Sequence, residues 1–303
     1  MAHKQHFLIH FWGVRGSYPT PGPHTLRHGG NTACVEVQVG EQILVFDAGS
    51  GIISLGHKLM QQKSDLLNIA LFLTHAHGDH LIGFPFFTPL FSPKTNLHLF
   101  GPLLAGKSVE QIVTPFMSAP YFPVDVRHLP SHRTFHTIVN GQCIIWSHGQ
   151  SEPIVRDSQL GFQEKADPTQ VRVIAMFIRS HPLNGTVIYR IEYAGRRVIY
   201  ATDVEWHNGY DSSFLAFVEG ADLLIHDAQY TTDDYQQNKH GYGHSTVEMA
   251  VEVAHAAHVR ELILFHHEPT YDDDQLDHME AQAQARFACT RSACEGMEIN
   301  LLA

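Results

Sequence analysis

The sequence predicts a layered α/β fold, on three observations. Apolar runs of strand length alternate with segments of helical spacing. Of the 303 residues, 44% are hydrophobic, enough to fill a full core. Five apolar runs stop abruptly at a histidine or an aspartate. Layered α/β folds gather their active sites at the carboxyl ends of strands, where side chains converge without disturbing the core. The organisation expected is a single domain over residues 1–303, with no internal repeat and no low-complexity tail.

Taken in order, Phe7 to Trp12 is the opening strand, followed by a loop from Gly13 to Pro23 too rich in Gly and Pro to hold a helix. That loop is either a structural crossover or a substrate-binding element. Arg15 within it is read as a phosphate contact or a buried ion-pair partner. After the turn Gly29-Gly30-Asn31-Thr32, residues 33–39 alternate as a half-buried strand. Gly40-Glu41 turns the chain into a second strand, Gln42 to Phe46, which ends at Asp47. Residues 52–62 show helical spacing, with Leu55, Leu59 and Met60 on one side. The run 67–74 is the strand that delivers His75. Leu81 to Phe84 can start a helix, limited by Pro85 and Pro89.

A strand over 96–100 and a helix over 108–113 precede an aromatic segment, 115–136. This segment is a lid over a pocket or a long packed connection. Its aromatic content favours the lid, with Tyr121 and Phe122 suited to a planar ligand. Residues 149–170, the most polar stretch, are read as a surface insertion. The second half then repeats one device. Strands over 171–178, 197–202, 223–225 and 262–265 lead to His181, Asp203, His226-Asp227 and His266. A helix with Val247, Ala250, Val251 and Ala254 on one face follows His244.

Composition excludes several classes. A net charge of -11 argues against a binder of duplex nucleic acid, which needs a basic face. No run approaches membrane-spanning length, and the N-terminal apolar run, broken by His10, is too short and polar for a signal peptide. Cys34, Cys143, Cys289 and Cys294 lack zinc-ribbon spacing and read as reduced thiols, which fits a cytoplasmic protein.

The densest chemistry is His75-Ala76-His77-Gly78-Asp79-His80. Three imidazoles and a carboxylate packed so closely at a strand end are costly to bury without a partner, and a dication removes that cost. A solvated His-rich loop is the alternative, in a chain with 24 histidines. Each later ligand also has a bland competitor. His181 could lie on a turn, Asp203 could cap a helix, and His266 and His267 could be half-buried polar residues. As a set after the dense cluster they read as metal ligands. His3, His10, His24, His28, His98, His148, His207 and His240 have no such context and read as ordinary histidines.

The series His75-x-His77-x-Asp79-His80, His181, Asp203 and His266 resembles that of the metallo-β-lactamase superfamily of hydrolases. Gly13-x-Arg15-Gly16-Ser17, Gly29-Gly30-Asn31-Thr32, Asp47 and Gly243-His244-Ser245-Thr246 are similar to the branch of ribonuclease Z and related bacterial phosphodiesterases. The resemblance covers nearly the whole chain, from about Phe7 to about Arg286.

It implies an αβ/βα four-layer sandwich, two mixed β-sheets flanked by helices, with a site for two divalent ions, zinc first and manganese next. His75, His77 and His181 would hold one ion, Asp79, His80 and His266 the other, with Asp203 bridging. Asp47 would orient the ligand loop. Such a pair readies a water as a nucleophile. His244, held by Asp227, matches the histidine that protonates the leaving oxygen in ribonuclease Z-like enzymes; a helix-start hydrogen bond is its alternative role. Ribonuclease Z grips tRNA with a long basic arm. Here the 149–170 stretch is net acidic, so a small anionic phosphodiester, a cyclic nucleotide first, is expected instead. A thioester or lactone hydrolase and an RNA 3′-processing nuclease remain alternatives, and a homodimer is allowed.

Overall fold

The computed structural model describes residues 6–62, 66–157, 167–206 and 209–303. His3, His207 and residues 158–166 of the expected insertion lie outside the described residues. The chain divides into two compact units, each built around one sheet.

The first unit draws on residues up to Pro19, on Gly29–Val139 and on Glu295–Ala303. Its strands are β1 (Phe7–Gly13), β2 (Cys34–Val39), β3 (Gln42–Phe46), β4 (Leu67–Phe72), β5 (Thr95–Pro102) and β6 (His132–Ile138), with β15 (Glu298–Asn300) joining from far along the chain. The order is β15-β1-β2-β3-β4-β5-β6. β15, β1, β2 and β3 pair antiparallel, whereas β3 through β6 run parallel. β2 and β3 form a tight hairpin because Gly40, at φ 57°, takes the left-handed conformation its turn needs. The inner parallel strands are covered on both faces, so they read as almost unbroken apolar runs. Phe46, Phe72 and Phe100 stack across three of them, with ring centroids 5.1 and 4.8 Å apart.

Helix α1 (Ile52–Gln61) buries Ile52, Leu55 and Leu59 in the same core cluster as Val45, Leu71 and Leu99. Met60, placed with them by spacing, is instead 44% exposed, because 100° per residue carries it off that stripe. The helix expected from Leu81 does not form. Two short 3-10 turns, Phe84–Phe86 and Thr88–Phe91, take its place, each with a proline in its first positions, where the missing N–H costs nothing.

Much of the segment read as a lid is a packed connection. After helix α2 (Val109–Val113), residues Met117, Val126 and Leu129 enter the core cluster, and 132–136 belong to β6. Tyr121 stands on the surface, 79% exposed. The carboxyl-terminal return also braces the loop after Pro23: Glu295 accepts hydrogen bonds from the Asn31 amide (2.6 Å) and its side chain (2.9 Å). Gly29, at φ 99°, passes so close to Glu295 that a Cβ would sit 2.3 Å from its carboxyl group.

The second unit comprises Thr20–His28 and Asn140–Cys294. Its strands are β7 (Gln142–Trp146), β8 (Ile154–Asp157), β9 (Val171–Ile178), β10 (Thr186–Tyr193), β11 (Arg196–Ala201), β12 (Leu223–Asp227), β13 (Leu262–Phe265) and β14 (Thr290–Ser292). They lie in the order β14-β13-β12-β11-β10-β9-β7-β8, antiparallel from β8 to β11 and parallel from β11 to β14. β8 lies within the stretch read as a surface insertion. It is an edge strand whose four side chains are all exposed, so it carries no apolar period to betray it. β10 pairs through a turn at Ala194-Gly195 and was likewise not anticipated from the sequence.

Helices α3 (Ser212–Val218), α4 (Thr232–Asp234), α5 (Val247–Ala256) and α6 (Asp273–Arg286) complete the unit. The Thr246 side chain caps α5 by accepting from Met249 N, and Asp272 caps α6 in the same way from Gln275 N. Phe214 and Phe217 of α3, Val247 and Val251 of α5, and Leu276 of α6 join Ile199, Leu224 and Leu264 of the sheet in one core. No described helix is long and apolar enough to cross a membrane.

Candidate metal centre

In the first unit, β4 ends at Phe72, and the chain runs directly into the histidine cluster. The ring of His75 lies 4.5 Å from that of His77 and 4.3 Å from that of His80, centroid to centroid. His75, Asp79 and His80 are buried and His77 is exposed, so the cluster opens outward on one side. Asp47 holds the inner wall. One of its oxygens accepts the Thr74 amide (2.8 Å) and the other accepts His80 Nδ1–H (2.8 Å). That bond fixes the His80 tautomer and leaves Nε2 with its lone pair, 3.3 Å from Asp79 Oδ2. Asp79 Oδ2 is itself steered by the Ser17 amide at 2.8 Å, a role for the Gly-rich loop that sequence reasoning missed.

In the second unit the candidate ligands come from separate strand ends. His181 Nδ1 donates to the Gly243 carbonyl (3.0 Å), and His266 Nδ1 lies 3.0 Å from Gln229 Oε1. Both rings therefore present Nε2 to Asp203. His181 Nε2 lies 3.7 Å from Asp203 Oδ2, and His266 Nε2 lies 3.4 Å from Asp203 Oδ1. Asp203, His244 and His266 offer donor atoms that all lie within 4.8 Å of one another.

These separations test whether the residues fit a metal. An imidazole whose Nδ1–H is committed has only a lone pair at Nε2, so facing a carboxylate oxygen is repulsive without something positive between them. Two ligands each about 2.0–2.1 Å from a tetrahedral ion stand roughly 3.3 Å apart, which is what these pairs approach. The donor set of imidazole and carboxylate, with each ring's second nitrogen anchored, suits a divalent cation.

Asp47, Asp203 and His266, all at strand ends, share a left-handed backbone, with φ of 62°, 56° and 63°. Only the surrounding structure holds non-glycine residues there. In each case the conformation turns the chain sharply as the strand finishes.

His244 Nδ1 donates to Asp227 Oδ2 at 2.8 Å, and its ring stacks on His266 with centroids 5.0 Å apart. The same Asp227 oxygen accepts the Asp203 amide (3.0 Å), while the other accepts the Gln229 and Ser245 amides (both 3.1 Å). The helix-start bond weighed for His244 is made by Thr246 instead, which leaves the imidazole to Asp227. His267 turns away, bonding to the Ala293 carbonyl.

The residues expected to meet substrate are less gathered. Arg15 is wholly buried, its Nε donating to the Gly29 carbonyl at 2.8 Å. Tyr121 is 79% exposed, and Phe122 is half-buried with its edge against Phe86, centroids 5.8 Å apart. Gln229 and Glu205 were not foreseen, since neither carries a signal in the sequence; both act through hydrogen bonds that only the fold brings about.

Residues 42–267 match the family described as the β-lactamase superfamily domain. Ribonuclease Z of Thermoplasma acidophilum is 28% identical over 291 residues, covering 88% of each chain. Ribonuclease Z of Thermococcus kodakarensis is 28% identical over 281 residues, covering 85% of this chain and 83% of that one. Among solved structures, the metallo-β-lactamase fold protein YhfI of Bacillus subtilis aligns with a TM-score of 0.68 at 21% identity, covering 98% of this chain and 100% of that one.

Proposed function

From the premise that the chain belongs to the metallo-β-lactamase superfamily, as a ribonuclease Z-like, metal-dependent hydrolase, we propose that it is a two-metal phosphodiesterase acting on a small phosphodiester, a cyclic nucleotide first. Following the superfamily pattern, His75, His77 and His181 take one ion and Asp79, His80 and His266 the other, with Asp203 between them; zinc is the first expectation and manganese the second. When bound, such ions lower the pKa of a water and neutralise charge on phosphoryl oxygens.

The chain's own residues do the rest. His80, His181 and His266 are pre-oriented by Asp47, Gly243 and Gln229, so little reorganisation accompanies ion binding. His244 donates a proton from Nε2 to the departing oxygen while Nδ1–H stays bonded to Asp227. The carboxylate of Asp227, accepting four hydrogen bonds, keeps that ring's orientation through the transfer. The observation that carries the reading is this His244–Asp227 pair beside the ligand set. A phosphodiester needs its alkoxide leaving group protonated, whereas a thioester on the same metals expels a thiolate, which does not need that acid.

The net charge of -11 favours a small substrate. A second reading, RNA 3′ processing, is favoured by the relatives named ribonuclease Z. Tyr121 is proposed to stack on a base. Arg15, being fully buried, is assigned to holding its loop rather than to phosphate. A single-domain, cytoplasmic protein, monomeric or homodimeric, is consistent with the reading.

The deciding experiment is a hydrolysis panel of 3′,5′- and 2′,3′-cyclic nucleotides, aryl phosphodiesters, a tRNA precursor, thioesters and lactones, with metal content measured on the same sample. Preference for the thioester or lactone would reject the proposal. Preference for the tRNA precursor would replace the small substrate with RNA.

A further inference from the structure

We infer that Glu205 is a positioning residue, a buried carboxylate that sets one proposed metal ligand and the proposed acid together. Its side chain is 3% exposed. Oε1 accepts the Tyr235 hydroxyl (2.6 Å) and the Gly241 amide (2.7 Å), and Oε2 accepts the Gly243 amide (2.8 Å). Its own backbone amide donates to Ser180 Oγ at 3.3 Å, one residue before His181. Glu205 thus ties the loop carrying His181 to the segment carrying His244.

The connection to chemistry runs through Gly243. Its amide is held by Glu205, and its carbonyl accepts His181 Nδ1–H at 3.0 Å. His244 follows directly, so a shift of the Gly243 peptide moves both imidazoles. The space is tight enough to make the coupling stiff. Gly243 adopts φ 92°, and a Cβ there would lie 2.3 Å from His181 Nδ1. Tyr235 opens a short π-helical stretch, Tyr235–Lys239, which sets its hydroxyl on the carboxylate.

A glutamine at 205 keeps the shape but replaces one acceptor oxygen with an amide NH2 donor. With a backbone N–H donating to each of the two oxygens, that NH2 faces a donor and the loop must move. The reference for this inference is the proposed function, since it presumes His181 as a ligand and His244 as the acid.

The test measures Zn²⁺ affinity by chelator competition on the full-length protein and on Glu205→Gln, independently of turnover. Supports of this kind are worth about 10–100-fold in metal affinity, and that weakening is expected. A Glu205→Gln protein that binds Zn²⁺ as tightly as the parent overturns the inference. If Glu205→Gln does not fold, Tyr235→Phe is read in the same titration, with the same two outcomes.

The acid arm uses aryl phosphodiesters of graded leaving-group pKa. Glu205→Gln should lose more turnover as the leaving group becomes poorer, whereas a uniform loss across the series rejects positioning of His244. A parent protein inactive on every phosphodiester would reject the proposed function alone, and the metal titration would still decide Glu205.

Discussion

The two clusters of candidate ligands solve the same problem differently. In the first unit, four proposed ligands lie within His75–His80, and one side chain, Asp47, sets the wall behind them. In the second, His181, Asp203 and His266 come from three strand ends spread over more than eighty residues, each with its own support: Gly243, Asp227 and Gln229. A contiguous cluster is specified mostly by local backbone, so sequence shows it at once. A dispersed one exists only once β9, β11, β12 and β13 are in register. Its orientation is therefore spread over residues that look ordinary in sequence.

That contrast can be broken most severely at Asp203, whose two oxygens each face a histidine. Asp203→Ala is expected to abolish turnover and strip the bound metal, measured by elemental analysis; a variant retaining both would show that the dispersed cluster is dispensable. Next in size, His244→Ala should lower kcat on phosphodiesters by about 10²–10⁴-fold with metal content unchanged, as expected for loss of a general acid. An equal rate in parent and variant would return His244 to a packing role.

The comparison is sharpened by removing one support on each side. Asp47→Asn and Gln229→Ala should each weaken metal binding by about 10–100-fold, read by chelator titration. If only one of them does, the anchored nitrogen is not a shared device of both clusters. The smallest effect is expected at the surface, where Tyr121→Ala should raise KM for a cyclic nucleotide about fivefold, the low end of base stacking at about 1 kcal/mol. An unchanged KM would leave the exposed ring without a role in recognition.

Strand ends were legible because burial and chemistry leave different marks: apolar runs mark the strands, and an abrupt His or Asp marks where they stop. The segment after His80 was misread because its apolar residues suit either a helix or turns, and the prolines decided it. β8 was hidden since its side chains meet no core. The aromatic stretch 115–136 resembled a lid because composition does not separate a ring that packs, as Phe122 does, from one that waits for ligand, as Tyr121 could. Glu205 was invisible for a further reason. A glutamate has no sequence neighbour that reports three donors reaching it from thirty or more residues away.

The return of β15 to β1 has a consequence for how the molecule is made. During synthesis, the first seven-stranded sheet waits for a piece that leaves the ribosome only after all eight strands of the other sheet. Until then the β1 edge is bare, and the Asn31 turn lacks the Glu295 carboxylate that pins it. Nascent chains stalled before that point should expose a sticky border, drawing chaperones or each other.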